Sequence, residues 1–306
     1  MKGYALVFSG QGSERVGLLS DFINESEFEN ISTKLHSLLG IDIKNIAASR
    51  NQADIAGNNQ MLLSVFHYLM AQQLIEQIGY MPKLCLGHSF GQFSAILNSG
   101  AVSFYDMVGL VYERMRIINN PNIEVCASLK SINGMKIDEF EDFLENENLG
   151  DDVELALHNQ SEQIVCAVTE EGEKRLEALA GKYKYLVKEI HVSRPYHTSF
   201  MKEFNELFVP HVEQLKITTP ICKVLLNNSK QTTNDESIFR DETKIQMVRP
   251  VHWYDSIKIA EESVDVFVIV DPGETQLKVI KRITEKRLYN VSGIAMAKMI
   301  GKKGLI

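Results

Sequence analysis

Short apolar runs bounded by turn residues alternate along the chain with longer stretches whose apolar positions recur every three or four residues. That alternation predicts strands and helices in turn. Tyr4–Phe8 reads as a short buried strand ending in the glycine-rich turn Ser9-Gly10-Gln11-Gly12-Ser13, with a polar, helix-like segment after it. Residues 15–58 are predicted helical in pieces, with loops around Ser26 and Gly57-Asn58-Asn59. From Gln60 to Ile78 the positions Leu62, Leu63, Phe66, Leu69, Met70, Leu74 and Ile75 mark a strong helix, which Gly79 stops and Pro82 follows. His67 falls inside that helix and reads as structural. The apolar run Leu84-Cys85-Leu86 ends in Gly87-His88-Ser89-Phe90-Gly91, and a helix-compatible segment follows at once. Ser103-Phe104-Tyr105-Asp106 is a capping box. It opens a helix from about Phe104 through Asn119, with Met107, Leu110, Val111 and Met115 inward and Arg114 on the flank of that stripe.

The pattern changes between about Asn122 and Glu189. Strand-like runs (Glu124–Leu129, Glu154–His158, Gln163–Val168, Leu186–His191) alternate with helices over Ile137–Glu145 and Glu170–Tyr183. The order β-α-β-β-α-β is that of a ferredoxin-like unit. Beyond it, His197 is predicted at the start of a helix running to about Leu215, followed by a strand over Lys223–Asn227. Gln246–Ile259 reads as a loop into a helix and Val264–Val270 as a buried strand. The turn Asp271-Pro272-Gly273-Glu274 leads into a last amphipathic helix, Thr275–Leu288. The expected fold is therefore α/β. An α/β-hydrolase-like large domain with a mostly parallel sheet (residues 1–121 and 192–306) is interrupted by a ferredoxin-like small domain (122–191).

At 306 residues the chain is long for one compact core. A net charge of −8 argues against nucleic acid, which calls for a basic face. No apolar stretch reaches membrane-spanning length, and Met1-Lys2-Gly3-Tyr4 shows no charged-then-apolar leader, so a cytoplasmic protein is expected. Cys85, Cys126, Cys166 and Cys222 are widely spaced, without a C-x-x-C pair, and read as reduced, mostly buried residues. The eight histidines are scattered, so no metal site is expected.

The candidate chemistry centres on Gly87-His88-Ser89-Phe90-Gly91. It has the G-x-S-x-G form of a nucleophile elbow, a serine on a tight turn between strand and helix. Gly87 and Gly91 let the backbone fold sharply and the helix pack close. The Phe90 amide then lies at a helix N-terminus, where free N–H groups can hold a developing oxyanion. The turn at Ser9–Ser13 lacks the Walker lysine and the dinucleotide spacing. A backbone approaching something at a strand's carboxyl end suits it better. In His191-Val192-Ser193-Arg194-Pro195-Tyr196-His197, Pro195 and Tyr196 stiffen a turn, and His197 is open as cap or base.

Four separated segments resemble the malonyl-CoA:acyl-carrier-protein transacylases, the acyltransferase family of fatty acid and polyketide synthesis. They are Phe8-Ser9-Gly10-Gln11-Gly12-Ser13, Gly87-His88-Ser89-Phe90-Gly91, Ser193-x-Pro195-Tyr196-His197, and Pro250-Val251-His252-Trp253 leading to Pro272-Gly273. The resemblance implies Ser89 as nucleophile, His197 as general base and the Gln246 main-chain carbonyl as the group that orients it. It implies the Gln11 and Phe90 amides as oxyanion hole and Arg114 as the grip on a free carboxylate. Asn159 matches a substrate-side position, while His88 and Tyr196 line the pocket. No permanent cofactor is implied; a coenzyme A thioester is substrate, malonyl-CoA and an acyl carrier protein are the partners, and the chain is expected as a monomer. Phe90 and Gln92 stand where the family often has leucine and glutamate, Glu14 where glutamine is common, and Arg194 adds a charge close to the cleft. Tyr196 resembles members that exclude α-methyl groups. Lys278, Lys281, Arg282, Lys286 and Arg287 are candidates for a carrier-docking helix face or for an ordinary solvated one. The alternatives are an editing hydrolase acting on carrier-bound acyl groups, a non-catalytic carrier-binding partner, and an ordinary esterase.

Overall fold

The computed structural model describes residues 3–304; Met1 and Lys2, where a leader was looked for, lie outside them. Strand β1 (Gly3–Phe8) is the centre of a six-stranded sheet. On one side it pairs in parallel with β2 (Leu84–Gly87), then β7 (Lys223–Leu225). On the other it pairs in parallel with β9 (Val264–Val270), then β10 (Arg287–Val291). Only the short β8 (Thr232–Thr233), at the edge beside β7, runs antiparallel.

Both faces of this sheet are covered at its centre, which is why β1, β2 and most of β9 are near-continuous apolar runs rather than alternating. Tyr4, Leu6 and Phe8 enter the larger core with α4 (Asn59–Ile78), α5 (Gly91–Asn98) and α6 (Phe104–Ile118). Ala5 and Val7, on the opposite face, pack with Trp253 and Ile257 of α11 (Trp253–Ser263) and Ile280 of α12 (Thr275–Ile280). Helix α4 ends as expected: Gly79 is left-handed at φ 86° and its N–H returns to Ile75 O. Before α4 lie α1 (Ser26–Leu39), α2 (Ile43–Ala48) and α3 (Gln52–Gly57).

The second sheet is antiparallel. It comprises β3 (Ser128–Asn133), β4 (Val153–Gln160), β5 (Gln163–Val168) and β6 (Leu186–Ile190), in the order β4-β5-β3-β6. Helices α7 (Ile137–Asn146) and α8 (Glu170–Tyr183) cover one face over Ile132, Phe140, Phe143 and Leu176. The opposite face carries Leu129, Ala156, Val165 and Ala167. The sheets meet where Val251 bridges β4, with His158 N–H donating to Val251 O and Val251 N–H to Ala156 O.

Several boundaries differ from the pattern-based expectations. A helix, not a loop, begins at Ser26, because Glu25 in extended backbone starts it there. The first strand of the small sheet is shifted to 128–133, where its apolar Leu129 and Ile132 face opposite cores. After His197 come a 3₁₀ turn (Ser199–Met201) and then α9 (Lys202–Gln214), which accommodates Pro210. Helix α10 (Glu236–Ile245), capped by Asp235, had no predicted counterpart. The expected last helix stops at Ile280. The chain then turns into β10 and ends in α13 (Ile294–Lys303), whose Ala297 and Ile300 are buried in the larger core. The five basic residues from Lys278 to Arg287 therefore share no helix face: Lys278 is on α12, Lys281 at its end and Arg287 on β10.

Candidate active site

Parallel strands place their carboxyl ends on one edge, and that edge of an open α/β sheet is where loops converge on ligands. Phe8 is in register with Gly87, so the turn after β1 and the bend after β2 lie side by side. The bend needs glycine twice. A Cβ on Gly87 would stand 2.0 Å from the Gly91 carbonyl group, and one on Gly91 2.3 Å from Phe8 O. No side chain fits at either position. Between them Ser89 has φ 52°, a left-handed conformation that costs a non-glycine residue on the order of 1 kcal/mol or more.

That conformation is braced by Asn227, which follows β7. Asn227 Oδ1 accepts Ser89 N–H at 2.9 Å, its Nδ2 donates to Gly87 O at 2.7 Å, and its own N–H donates to Gln92 Oε1 at 2.7 Å. The residue is 2 % exposed. Nothing in the motif analysis pointed to it, although a polar residue closing an apolar strand (Val224-Leu225-Leu226-Asn227) at this edge was a usable signal.

Ser89 Oγ lies 2.6 Å from His197 Nε2. His197 also has a left-handed backbone, at φ 69°, and is held twice by one loop. Its N–H donates to Met247 O at 2.8 Å, and Nδ1 is 2.8 Å from Gln246 O. A carbonyl oxygen only accepts, so Nδ1 carries the proton and Nε2 is the acceptor for the serine hydroxyl. Burial pushes His197 down from 6.5 to about 3, partly offset by the Gln246 carbonyl and deepened by nearby Arg114. The ring is therefore neutral near pH 7, as a proton acceptor has to be. The arrangement can move the Ser89 proton onto His197 when charge of opposite sign develops beside it.

Gln11 and Phe90 both line the same hollow. Among the described residues neither the Phe90 amide, at the start of α5, nor the Gln11 amide donates a hydrogen bond. Arg114 lies on the buried face of α6, 2 % exposed, and does not snorkel. It packs between the rings of Phe93 and Tyr196, at 5.5 and 5.3 Å. Its NH1 donates to Gln60 Oε1 at 2.8 Å and its NH2 to Gln246 Oε1 at 3.4 Å. Among the described residues no carboxylate pairs with it, and burial lowers it to about 10. Arg114 Nε and Gln246 Nε2 are both buried without partners. Orphaned donors around an uncompensated buried cation suit an anion with several acceptor oxygens. Gln60, in the first turn of α4, also donates to the Gln11 side chain at 3.2 Å, so it links the cation to the glycine-rich turn. It too was missed, hidden in the polar start of an apolar helix.

The small sheet closes the hollow. Leu129, Leu157, Val165, Ile190 and Val192 face Gln11, His88, Ser89, Phe90, Arg114, Asn159, Tyr196 and His197 around a cavity of about 210 Å³. Every residue expected at the site lines it except Gln246, which borders it through His197 and Arg114. Asn159 Oδ1 accepts from His88 Nε2–H at 2.9 Å, joining the two sheets across the cleft. Arg194 does not add charge to the cavity. Its Nε donates to Ile118 O at 3.1 Å and its guanidinium lies over Phe204, which ties the His197 loop to the end of α6. Glu14 turns back on its own loop and accepts the Gly12 N–H at 2.8 Å.

Comparison with known proteins places this geometry among relatives. Residues 5–304 match the acyl transferase domain family. The chain is 28 % identical over 293 residues to the malonyl CoA-acyl carrier protein transacylase of Haemophilus influenzae, spanning 92 % of this chain and 93 % of that protein. It superposes with a TM-score of 0.89 on FabD of Acinetobacter baumannii (26 % identity, 99 % and 98 % of the two chains). The malonyl CoA-acyl carrier protein transacylase of Coxiella burnetii gives the same TM-score at 25 % identity, again over 99 % and 98 %.

Proposed function

Since this chain belongs to the acyl transferase domain family, we propose that it moves malonyl from malonyl-CoA to the phosphopantetheine thiol of an acyl carrier protein. The observation that carries the reading is the 2.6 Å contact between Ser89 and a neutral His197, across the hollow from a buried Arg114 that lacks a carboxylate partner. In this reading Ser89 Oγ attacks the thioester carbonyl as His197 Nε2 takes its proton, and the Gln11 and Phe90 amides hold the oxyanion. Burial opposes the imidazolium; the oxyanion formed beside it offsets that cost. Collapse expels the coenzyme A thiolate, which takes the proton from His197 and leaves malonyl-Ser89. The carrier thiol then gives its proton to His197 and attacks the ester, and Ser89 is reprotonated as it leaves. Gln246 O fixes the tautomer through both halves without adding a buried charge. Arg114 receives the malonyl carboxylate through its paired donors, and the apolar wall of the small sheet limits water at the ester.

We read the six-stranded sheet as an α/β-hydrolase-like large domain over residues 1–121 and 192–306, and the four-stranded one as a ferredoxin-like domain over 122–191. The order β4-β5-β3-β6 supports the latter. Among the described residues no helix is long and apolar enough to cross a membrane, which suits a cytoplasmic protein.

Intact-protein mass spectrometry tests the mechanism. Ser89 gains one malonyl on exposure to malonyl-CoA and loses it to added carrier protein, which gains the same mass; Ser89→Ala does neither. Release of free malonate, with the carrier unmodified, would replace transfer by hydrolysis.

A further inference from the structure

Beneath the cavity runs a hydrogen-bonded chain that the reaction as described does not use. His67, in the middle of α4, is fully buried and lines no part of the hollow. Its Nδ1 lies 2.9 Å from Ser94 Oγ on α5, and its Nε2 3.2 Å from Ser9 Oγ just past β1. Ser9 Oγ is 2.9 Å from Ser13 Oγ, and Ser13 Oγ donates to Gly10 O at 3.1 Å.

The direction of every bond follows from the protons available. A hydroxyl has one proton, and a neutral imidazole has one donor and one acceptor. The Ser13 proton goes to the Gly10 carbonyl, so Ser13 accepts the Ser9 proton. Ser9 then accepts from His67 Nε2–H, and His67 Nδ1 accepts from Ser94. Burial pushes His67 down from 6.5 to about 3, so the ring stays neutral and a single tautomer satisfies the whole chain. An imidazole is suited to this place because it offers a donor and an acceptor on separate edges of one rigid ring.

The chain ends on the peptide group whose other end is the Gln11 N–H. In a trans peptide the C=O and N–H point in opposite directions, so holding the Gly10 oxygen sets the aim of the Gln11 N–H. Gly10 is also confined from the elbow side, where a Cβ would come within 2.9 Å of His88 O. We infer that His67 is a positioning residue for the oxyanion hole. Through Ser9 and Ser13 it aims the Gln11 amide, and through Ser94 it ties that amide to the helix that carries Phe90. The inference rests on the acyl-serine reading above. It goes beyond it in making the two halves of the hole one braced unit, since hydrogen bonds in series also polarise one another.

The test is single-turnover acylation of Ser89 by malonyl-CoA, read as a maximal rate and a half-saturating concentration. A misaimed donor costs less than a deleted one, so His67→Phe and Ser13→Ala should slow the maximal rate about tenfold, with half-saturation within about twofold of wild type. His67→Gln, whose amide reaches toward Ser9, should recover to within about threefold of wild type. Nitrogen-15 spectra of histidine-labelled protein should show His67 protonated at Nε2. A wild-type rate in folded His67→Phe overturns the inference, and if that variant does not fold, a wild-type rate in Ser13→Ala does so. A glutamine variant as slow as the phenylalanine one, or a proton on Nδ1, also overturns it. Wild-type protein that forms no acyl-Ser89 removes the underlying reading and this inference together.

Discussion

The loops at the edge of the six-stranded sheet bring Ser89 and the two free amides to the site, where Arg114 of α6 and His197 of the loop before α9 join them, whereas the four-stranded sheet brings Asn159 and a wall of Leu129, Leu157, Val165 and Ile190. The difference follows from strand direction. Parallel strands end on one edge, so the loops after β1, β2 and β7 converge and brace one another, as Asn227 braces Ser89 and the Ser9–Ser13 turn meets the elbow. Antiparallel strands end alternately on opposite edges, and such a sheet meets a site with a face. It shapes and dries the hollow, and its polar link is the contact of Asn159 with His88. Reactivity and enclosure are thus supplied by different kinds of sheet.

The largest effects should come from the parallel side. His197→Ala should lower Ser89 acylation near neutral pH by on the order of 10⁴–10⁶, the scale seen when a serine loses its base. A burst surviving in that variant would point to another base. Asn227→Ala comes next: it strands the Ser89 N–H and the Gly87 carbonyl, at about 1–3 kcal/mol for each buried group left unpaired. Denaturant unfolding and acylation rate should both record the loss. If only stability fell, the brace would not be setting the nucleophile. Arg114→Ala should cost about 1.5–3 kcal/mol in kcat/KM for malonyl-CoA and little for acetyl-CoA, because only the former presents a carboxylate to a charge-assisted pair. Equal losses for both would remove Arg114 from the acyl site.

On the antiparallel side Asn159→Ala breaks one neutral hydrogen bond, so about 0.5–1.5 kcal/mol in kcat/KM is expected. A loss as large as that of Asn227→Ala would end the division drawn here. The last effect vanishes at pH 7 and grows in acid. His67 and His197 are held near 3 in the fold against an ordinary 6.5, so between those values the unfolded chain binds more protons than the folded one. Stability is then complete above about 6.5 and falls as pH drops toward 3. Thermal unfolding at stepped pH checks the sign, and His67→Phe should flatten the slope. The acylation rate, by the same reasoning, should show no half-titration near 6.5.

Much of this protein could be read before it was folded. Patterning is a local property, so the long helix ending at Gly79, the buried strands at 4–8 and 264–270, and the β-α-β-β-α-β order were all legible. So was the elbow, because G-x-S-x-G states a steric requirement in five adjacent residues. The roles of Arg114 and the Gln246 carbonyl, and the choice of base over cap for His197, entered only through resemblance, since residues 49 and 132 positions apart carry no local mark of meeting. The end of the chain was misread because Lys281–Arg287 suits a helix locally, and only the open edge of β9 decides that Arg287–Val291 is a strand. Asn227, Gln60 and His67 escaped for a related reason. An asparagine closing a strand or a histidine inside a helix has no meaning until packing supplies its partners. The amino-acid order determined which segments could be strand or helix and where a bend had to be bare of side chains. Tertiary structure alone decided which buried polar groups meet, because a hydrogen bond needs a partner within about 3 Å, and that distance is created only when separate strands and helices pack together.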